Sequence, residues 1–209
     1  MPRAKHNLED QLAREFAALS AALKGQMRES PRFWGSQPLG PAGMCVELEE
    51  VRRAWQDLRR SPEIVRDAGQ MMTPQWTLRD LASHVASWAR EFRWEAEVSL
   101  RGEEVPYEIY FDPRLGPTEW NHARVAERQE QKLDDILSEI DAETRRMQEL
   151  VLQASPERLI APVKFGPVVG PDRRPLFRTL AELTGGRCFH DRHHLTRIAA
   201  RREQLRQGS

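Results

Sequence analysis

Apolar residues recur at spacings of three and four along most of this chain, and this helical period is the feature that most restricts its fold. One such stripe, in a helix predicted over residues 46–60, consists of Leu48, Val51, Trp55 and Leu58. Strand-like patterns are confined to residues 105–111 and 160–169, and prolines or turn residues interrupt or bound both. Amphipathic helices without alternating strands bury their stripes most economically as an all-α four-helix bundle.

Two capping boxes indicate where the second and the last long helices begin. Thr77 with Asp80 three residues later predicts the start of a helix that ends shortly before Gly102. Thr179 with Glu182 predicts the start of a helix that runs to the neighbourhood of residue 205. The apolar stripes that follow both boxes are therefore expected to face the core.

A third long helix is predicted over residues 118–154, and Ser61 followed by a proline predicts a short helix after the first one. Two long connections remain, residues 101–117 and 156–178. Loops of this length in a compact domain are typically functional or disordered.

The first 45 residues are interpreted as an appendage to a main domain of residues 46–209. Residues 8–23 carry an amphipathic helical stripe, and residues 31–43 contain three prolines and three glycines, the composition of a linker. The stripe would cover the main domain, bind a partner or remain unused.

The composition excludes several classes of protein. The chain has 32 basic and 32 acidic side chains, so it lacks the summed positive field of a nucleic-acid-binding protein. No stretch reaches the roughly 18 consecutive apolar residues of a membrane-spanning helix. Cys45 and Cys188 lie far apart in the sequence, so they form neither a metal-binding motif nor a disulfide framework. No secretory signal is evident either, and both observations favour a location in the cytoplasm.

The histidines are the most informative residues in the chain. His84 borders the apolar stripe of the second helix, and His190 and His194 lie one turn apart on the last helix. An imidazole pair at this spacing, joined by a third imidazole from a facing helix, can hold one metal ion and leave a position open for water or a thiolate. His193 would take the place of one of this pair as a ligand if the register of the last helix shifted. The alternative is that these histidines are hydrogen-bonded core residues.

Three sequence motifs resemble those of the DinB-like superfamily and, within it, the ClbS/DfsB branch. They are residues 76–88 (WTLRDLASHVASW), the Trp120-Asn121 pair and residues 185–198 (GGRCFHDRHHLTRI). The resemblance implies an up-down-down-up four-helix bundle that binds a divalent metal, zinc or alternatively nickel, at the places of His84, His190 and His194. Its relatives include isomerases and transferases that use low-molecular-weight thiols, and a protein that inactivates a genotoxic electrophile. Gly186 replaces the asparagine that is usual in the branch.

These observations together predict a metal-dependent enzyme that acts on a small electrophilic or toxic molecule by hydrolysis or thiol transfer. Trp88, Trp120 and Asn121 are predicted to contact the substrate, although core packing and helix capping would also explain them. No residue is assigned as general base. The alternatives are a bundle that binds or sequesters a small molecule, and a helical interaction protein. A small molecule is the expected partner, a homodimer is left open, and neither nucleic acid nor a membrane is expected.

Overall fold

The computed structural model describes residues 40–106, 117–169 and 175–207, and most of them are helical. The helices are α1 (Pro41–Arg60), α2 (Ile64–Asp67), α3 (Leu78–Arg101), α4 (Pro117–Ala126), α5 (Leu133–Gln153), α6 (Pro156–Ile160) and α7 (Leu180–Gln207), and the strands are β1 (Val163–Val169) and β2 (Pro175–Arg178). The all-α prediction is confirmed. None of these helices is long and apolar enough to cross a membrane. The predicted N-terminal helix and most of the predicted linker lie outside the described residues.

The four long helices α1, α3, α5 and α7 form the bundle. Helices α1 and α3 each pack against both α5 and α7. The side chains buried between them include Leu48, Trp55, Leu81, Val85, Ile136, Ile140, Leu183 and Ile198. Burying one such side chain contributes roughly 1.5–3 kcal/mol, so this shared core aligns the helices. Helices α3 and α7, which carry the candidate histidines, are therefore direct neighbours.

Both predicted capping boxes are formed. The backbone N–H of Thr77 donates to Asp80 Oδ2 at 3.0 Å, and the backbone N–H of Asp80 donates to Thr77 Oγ1 at 3.2 Å. The backbone N–H of Thr179 donates to Glu182 Oε2 at 2.7 Å, and the backbone N–H of Glu182 donates to Thr179 Oγ1 at 3.1 Å. These bonds satisfy amide groups that the first helical turn leaves free, and they determine where α3 and α7 begin.

The predicted single helix over residues 118–154 is wrong, because the chain turns between α4 and α5. The intervening residues 127–132 contain no apolar side chain that could face the core. The buried Arg128 side chain lies there instead, and it donates to Ser87 Oγ at 2.7 Å and to Glu139 Oε1 at 2.8 Å. A buried arginine needs such partners, and the turn supplies them.

Two other predicted helix starts are also wrong. Helix α1 begins at Pro41 rather than at residue 46, with proline at a first-turn position where its missing N–H costs nothing. Helix α2 begins at Ile64 with Glu63 as its N-cap, whereas Ser61 is the C-cap of α1. The Ser-Pro pair therefore marks the end of one helix rather than the start of the next.

A small antiparallel hairpin follows α6. The predicted strand within residues 160–169 is present as β1, and it pairs with β2, which was not predicted. Val105 forms a parallel bridge with Phe165, but residues 107–111 of the other predicted strand lie outside the described residues. The hairpin occupies part of the long connection before α7.

Replacing Gly102 with alanine is expected to lower the free energy of unfolding by about 1–2 kcal/mol. Gly102 caps α3 with a φ of 75°, and its N–H donates to the Ser99 carbonyl at 3.0 Å. A β-carbon there would also lie 3.2 Å from Arg158 Nη1. Urea denaturation measures the change. Gly69→Ala is the matched control, because no atom lies within 4 Å of its β-carbon, and an equal loss in both variants would contradict the prediction.

Candidate metal centre

Three histidines from two neighbouring helices meet inside the bundle. His84 lies on α3, two turns after the capping box, and is 5% exposed, while His194 on α7 is 7% exposed. His190 Nε2 lies 3.1 Å from His84 Nε2 and 3.2 Å from His194 Nε2. The structure thus brings together the three residues that the sequence selected, with their Nε2 atoms turned toward one another.

These spacings fit a single metal ion. Zinc–nitrogen bonds of about 2.0–2.1 Å place two tetrahedral ligand atoms about 3.3 Å apart, close to the two shortest separations in the cluster. The three candidate donor atoms all lie within 4.8 Å of one another. Imidazole nitrogen suits zinc, nickel and copper. His84, His190 and His194 could therefore hold a divalent ion through Nε2.

The electrostatics of the cluster favour neutral imidazoles. Burial is the main reason that the pKa of His84 lies well below its usual range, and the charge of His190 adds to this effect while the neighbouring Asn121 side chain opposes it. Burial also holds the pKa of His194 well below its usual range, assisted by the neighbouring imidazoles. A neutral imidazole has the free lone pair that a metal ligand needs.

Aromatic rings surround the cluster. The ring of Trp76 lies 4.8 Å from that of His84, and the rings of Trp88 and Phe92 lie 5.8 and 6.5 Å from that of His190. Neither Trp76 nor Phe92 was predicted as a site residue, although both carried a signal. Trp76 directly precedes the helix cap, and Phe92 is two turns after His84 on the same stripe.

The predicted substrate residues lie together beside this aromatic group. Trp120 is 4% exposed, and its ring lies 5.1 Å from that of Trp88. The Nε1–H of Trp88 donates to Asn121 Oδ1 at 3.0 Å. The amide oxygen of Asn121 thus has a partner within the protein, and contact of these three residues with a substrate stays a prediction.

The other two histidines of the described residues do not join the cluster. The half-buried ring of His193 lies 5.2 Å from that of His194 and stacks on Phe189 at 6.4 Å. The exposed His122 packs edge-on against Trp76, with ring centroids 5.8 Å apart. Among the described residues, the group of possible metal ligands is limited to the original three.

Helix α7 continues without a break through Gly185 and Gly186. Two adjacent glycines weaken a helix, but they do not interrupt this one. A β-carbon at position 186 would meet the ring of Phe92 at 3.5 Å, an ordinary contact distance. The glycine leaves a small space beside an aromatic ring of the site.

A buried ion pair that the sequence analysis missed lies behind His190. Arg187 Nε is 2.9 Å from Asp191 Oδ1, and the two side chains are 1% and 0% exposed. Trp55 Nε1 donates to Asp191 Oδ2 at 3.0 Å, and Arg187 Nη2 donates to Thr144 Oγ1 at 3.1 Å. The spacing of four between Arg187 and Asp191 was the available signal, but it is typical of exposed helical ion pairs.

Comparison with known proteins finds one family. Residues 48–184, about two thirds of the chain, match the family model described as the mycothiol maleylpyruvate isomerase N-terminal domain. No curated protein and no solved structure matches the chain. The matched residues include His84 but end before His190 and His194, so the case for those two ligands rests on the geometry of α7.

Proposed function

Since the chain belongs to the family of the mycothiol maleylpyruvate isomerase N-terminal domain, part of the DinB-like helical superfamily, we propose that it is a metal-dependent enzyme that joins a low-molecular-weight thiol to a small electrophile. The observation that carries the proposal is the convergence of three Nε2 atoms, two of them 3.1 and 3.2 Å from the third. Zinc is the expected ion, and nickel is the alternative. The thiol is inferred from the activity that the family's description names.

His84, His190 and His194 would hold the ion. A divalent ion held by them would lower the pKa of a thiol or water molecule bound to it, and so would supply a nucleophile at neutral pH. In thiol transfer, the thiol would give its proton to solvent water and its sulfur would form a bond to an electrophilic carbon, while an electron pair would move onto the electrophile's own leaving group or onto its conjugated carbonyl, which solvent then protonates. Hydrolysis by activated water is the second reaction compatible with this chemistry.

The aromatic side chains have a separate role in the proposal. Trp76, Trp88 and Phe92 lie within 6.5 Å of a histidine ring of the cluster, measured between centroids. Apolar rings at this distance exclude water and offer flat surfaces to an unsaturated substrate. Trp120 and Asn121 are proposed to hold the ring of Trp88 in position, and to contact the substrate where it extends toward α4. The role of general base stays unassigned.

The finer family placement is also a proposal. The residues from Trp76 to Trp88 and the Trp120-Asn121 pair support membership of the ClbS/DfsB branch. The chain departs from that branch's pattern at Gly186 and in its first 45 residues, for which the branch offers no counterpart. A different side chain at position 186 changes the space beside Phe92, so substrate choice is the property that we expect to differ.

Elemental analysis of protein purified without a histidine tag is expected to find close to one divalent ion per chain. The metal-loaded protein, incubated with mycothiol and an alkyl halide or a conjugated dicarbonyl compound, is expected to form the thiol adduct, as measured by mass spectrometry. Protein stripped of metal with a chelator is the control and should form the adduct only at the uncatalysed rate.

Two other outcomes would replace the proposal. A metal-free protein of full stability that binds the electrophile without changing it would favour the sequestering alternative. A metal-loaded protein that consumes the electrophile equally well without thiol would favour hydrolysis. The third alternative, an interaction protein, depends on residues 8–23, outside the described part of the chain. Deleting residues 1–43 without changing the oligomeric state or partner binding would remove it.

A further inference from the structure

The Arg187–Asp191 pair lies where the bundle gives it no access to solvent. Removing two charges from water often costs more free energy than their attraction returns, so stability alone does not explain a buried pair. The Arg187 guanidinium contacts both carboxylate oxygens, with Nε 2.9 Å from Oδ1 and Nη2 donating to Oδ2 at 3.0 Å. Asp191 is therefore a buried carboxylate with its counter-charge in place, and its Oδ1 lies 3.6 Å from Nδ1 of His190.

Three helices hold this carboxylate in place. Asp191 Oδ2 accepts hydrogen bonds from Trp55 Nε1 on α1 and from Arg187 Nη2 on α7, both at 3.0 Å. Arg187 is in turn bonded to Thr144 on α5. With Oδ2 occupied by two donors, Oδ1 is left to face Arg187 Nε at 2.9 Å and His190 Nδ1 at 3.6 Å.

The Nδ1 atom of His190 needs a hydrogen-bond acceptor, and Oδ1 of Asp191 is the acceptor that faces it. This nitrogen is buried and has no hydrogen-bond partner among the described residues. An imidazole that offers its Nε2 lone pair carries its proton on Nδ1. The separation of 3.6 Å exceeds a formed hydrogen bond, and a movement of about 0.7 Å would bring it to the usual 2.9 Å.

We infer that Asp191 is a positioning residue whose carboxylate holds His190 in the Nδ1–H tautomer, so that the Nε2 lone pair faces His84 and His194. Asp191 acts only through His190 and touches neither the ion nor the substrate. The inference rests on the proposed function, because a metal ion is what this lone pair would bind. It explains why a costly charged pair is buried at this position of α7.

The variant Asp191→Asn tests the inference. Because two N–H donors point at the Oδ2 position, the amide oxygen is expected to remain there and to turn the NH₂ group toward His190 Nδ1. An N–H donor facing Nδ1 stabilises the opposite tautomer. Long-range ¹H–¹⁵N correlation spectra of the metal-free protein, with the His190 signals identified by their loss in His190→Ala, should show Nδ1–H in the wild type and Nε2–H in the variant. The affinity for Zn²⁺ should fall about 10–100-fold.

Thr144→Val is the matched control, since it removes a hydrogen bond from the same network but leaves the carboxylate facing His190. It should keep the wild-type tautomer and Zn²⁺ affinity. An Nε2–H tautomer in the wild-type protein would overturn the inference, and this measurement decides the question even if Asp191→Asn does not fold. Unchanged tautomer and affinity in Asp191→Asn would also overturn it. A wild-type protein that shows the Nδ1–H tautomer but binds no metal would instead refute the proposed function.

Discussion

Replacing His190 with alanine is expected to abolish retention of a stoichiometric metal ion and to lower the affinity for Zn²⁺ by about a hundredfold to a thousandfold. Structural zinc sites with four ligands contribute about 10–16 kcal/mol, or roughly 2.5–4 kcal/mol per ligand, which corresponds to a loss of that order. His190 is the central residue of the cluster, because its Nε2 makes both short contacts, at 3.1 and 3.2 Å. Elemental analysis and competition with a zinc-binding dye measure the two quantities.

His193→Ala is the matched control for this experiment. It removes an imidazole from the same turn of α7, but one whose ring stacks on Phe189 and lies outside the cluster. Its metal content and Zn²⁺ affinity should match those of the wild type. Wild-type metal binding in His190→Ala would exclude the three-histidine cluster as the metal site.

Replacing Arg187 with methionine is expected to lower the free energy of unfolding by about 3–5 kcal/mol. The substitution leaves Asp191, whose side chain is 0% exposed, as a buried carboxylate without its counter-charge. Trp55 would remain as a donor to Oδ2, but one neutral hydrogen bond does not replace a guanidinium. Urea denaturation of the metal-free protein at neutral pH measures the loss.

Two further variants test whether the loss of stability comes from leaving a buried charge unpaired or from breaking an ion pair as such. Arg145→Met breaks an ion pair with Asp141 of the same 2.9 Å length, but the arginine side chain is 58% exposed, so a loss below about 1 kcal/mol is expected. The double variant Arg187→Met/Asp191→Leu removes both buried charges and should recover much of the stability that the single variant loses. A loss in Arg187→Met no larger than that in Arg145→Met would show that the buried pair has no special importance for stability.

The helices were largely predictable, because the signals that form them are local. The stripe from Leu48 to Leu58 and the boxes at Thr77 and Thr179 act within one or two turns. The turn between α4 and α5 was missed because its cause is distant in the sequence. Arg128 is stabilised there by Ser87, 41 residues away along the chain. Strand β2 was missed because a strand of four residues is stable only when β1 lies beside it.

The candidate metal ligands were selected from spacing and resemblance, and the phase of each helix explains why the three side chains meet inside the bundle. A box that determines the first residue of a helix also determines the direction of side chains two or three turns later. His84 follows Thr77 by seven residues, and His190 and His194 are one turn apart whatever the tertiary structure. The same reasoning could not place Trp76 beside His84, since Trp76 precedes α3 and reaches His84 through the fold of the chain.

The sequence alone determined the helical class, the starts of α3 and α7, and the directions in which His84, His190 and His194 project, because each depends on bonds between residues a few positions apart. Only the tertiary structure decided that α3 and α7 are neighbours, that three Nε2 atoms meet between them, and that Asp191 is a buried anion behind His190. Those properties depend on which helices share a core and on which side chains lose contact with water. The spacing of residues along one helix does not indicate which helices share a core or which side chains become buried.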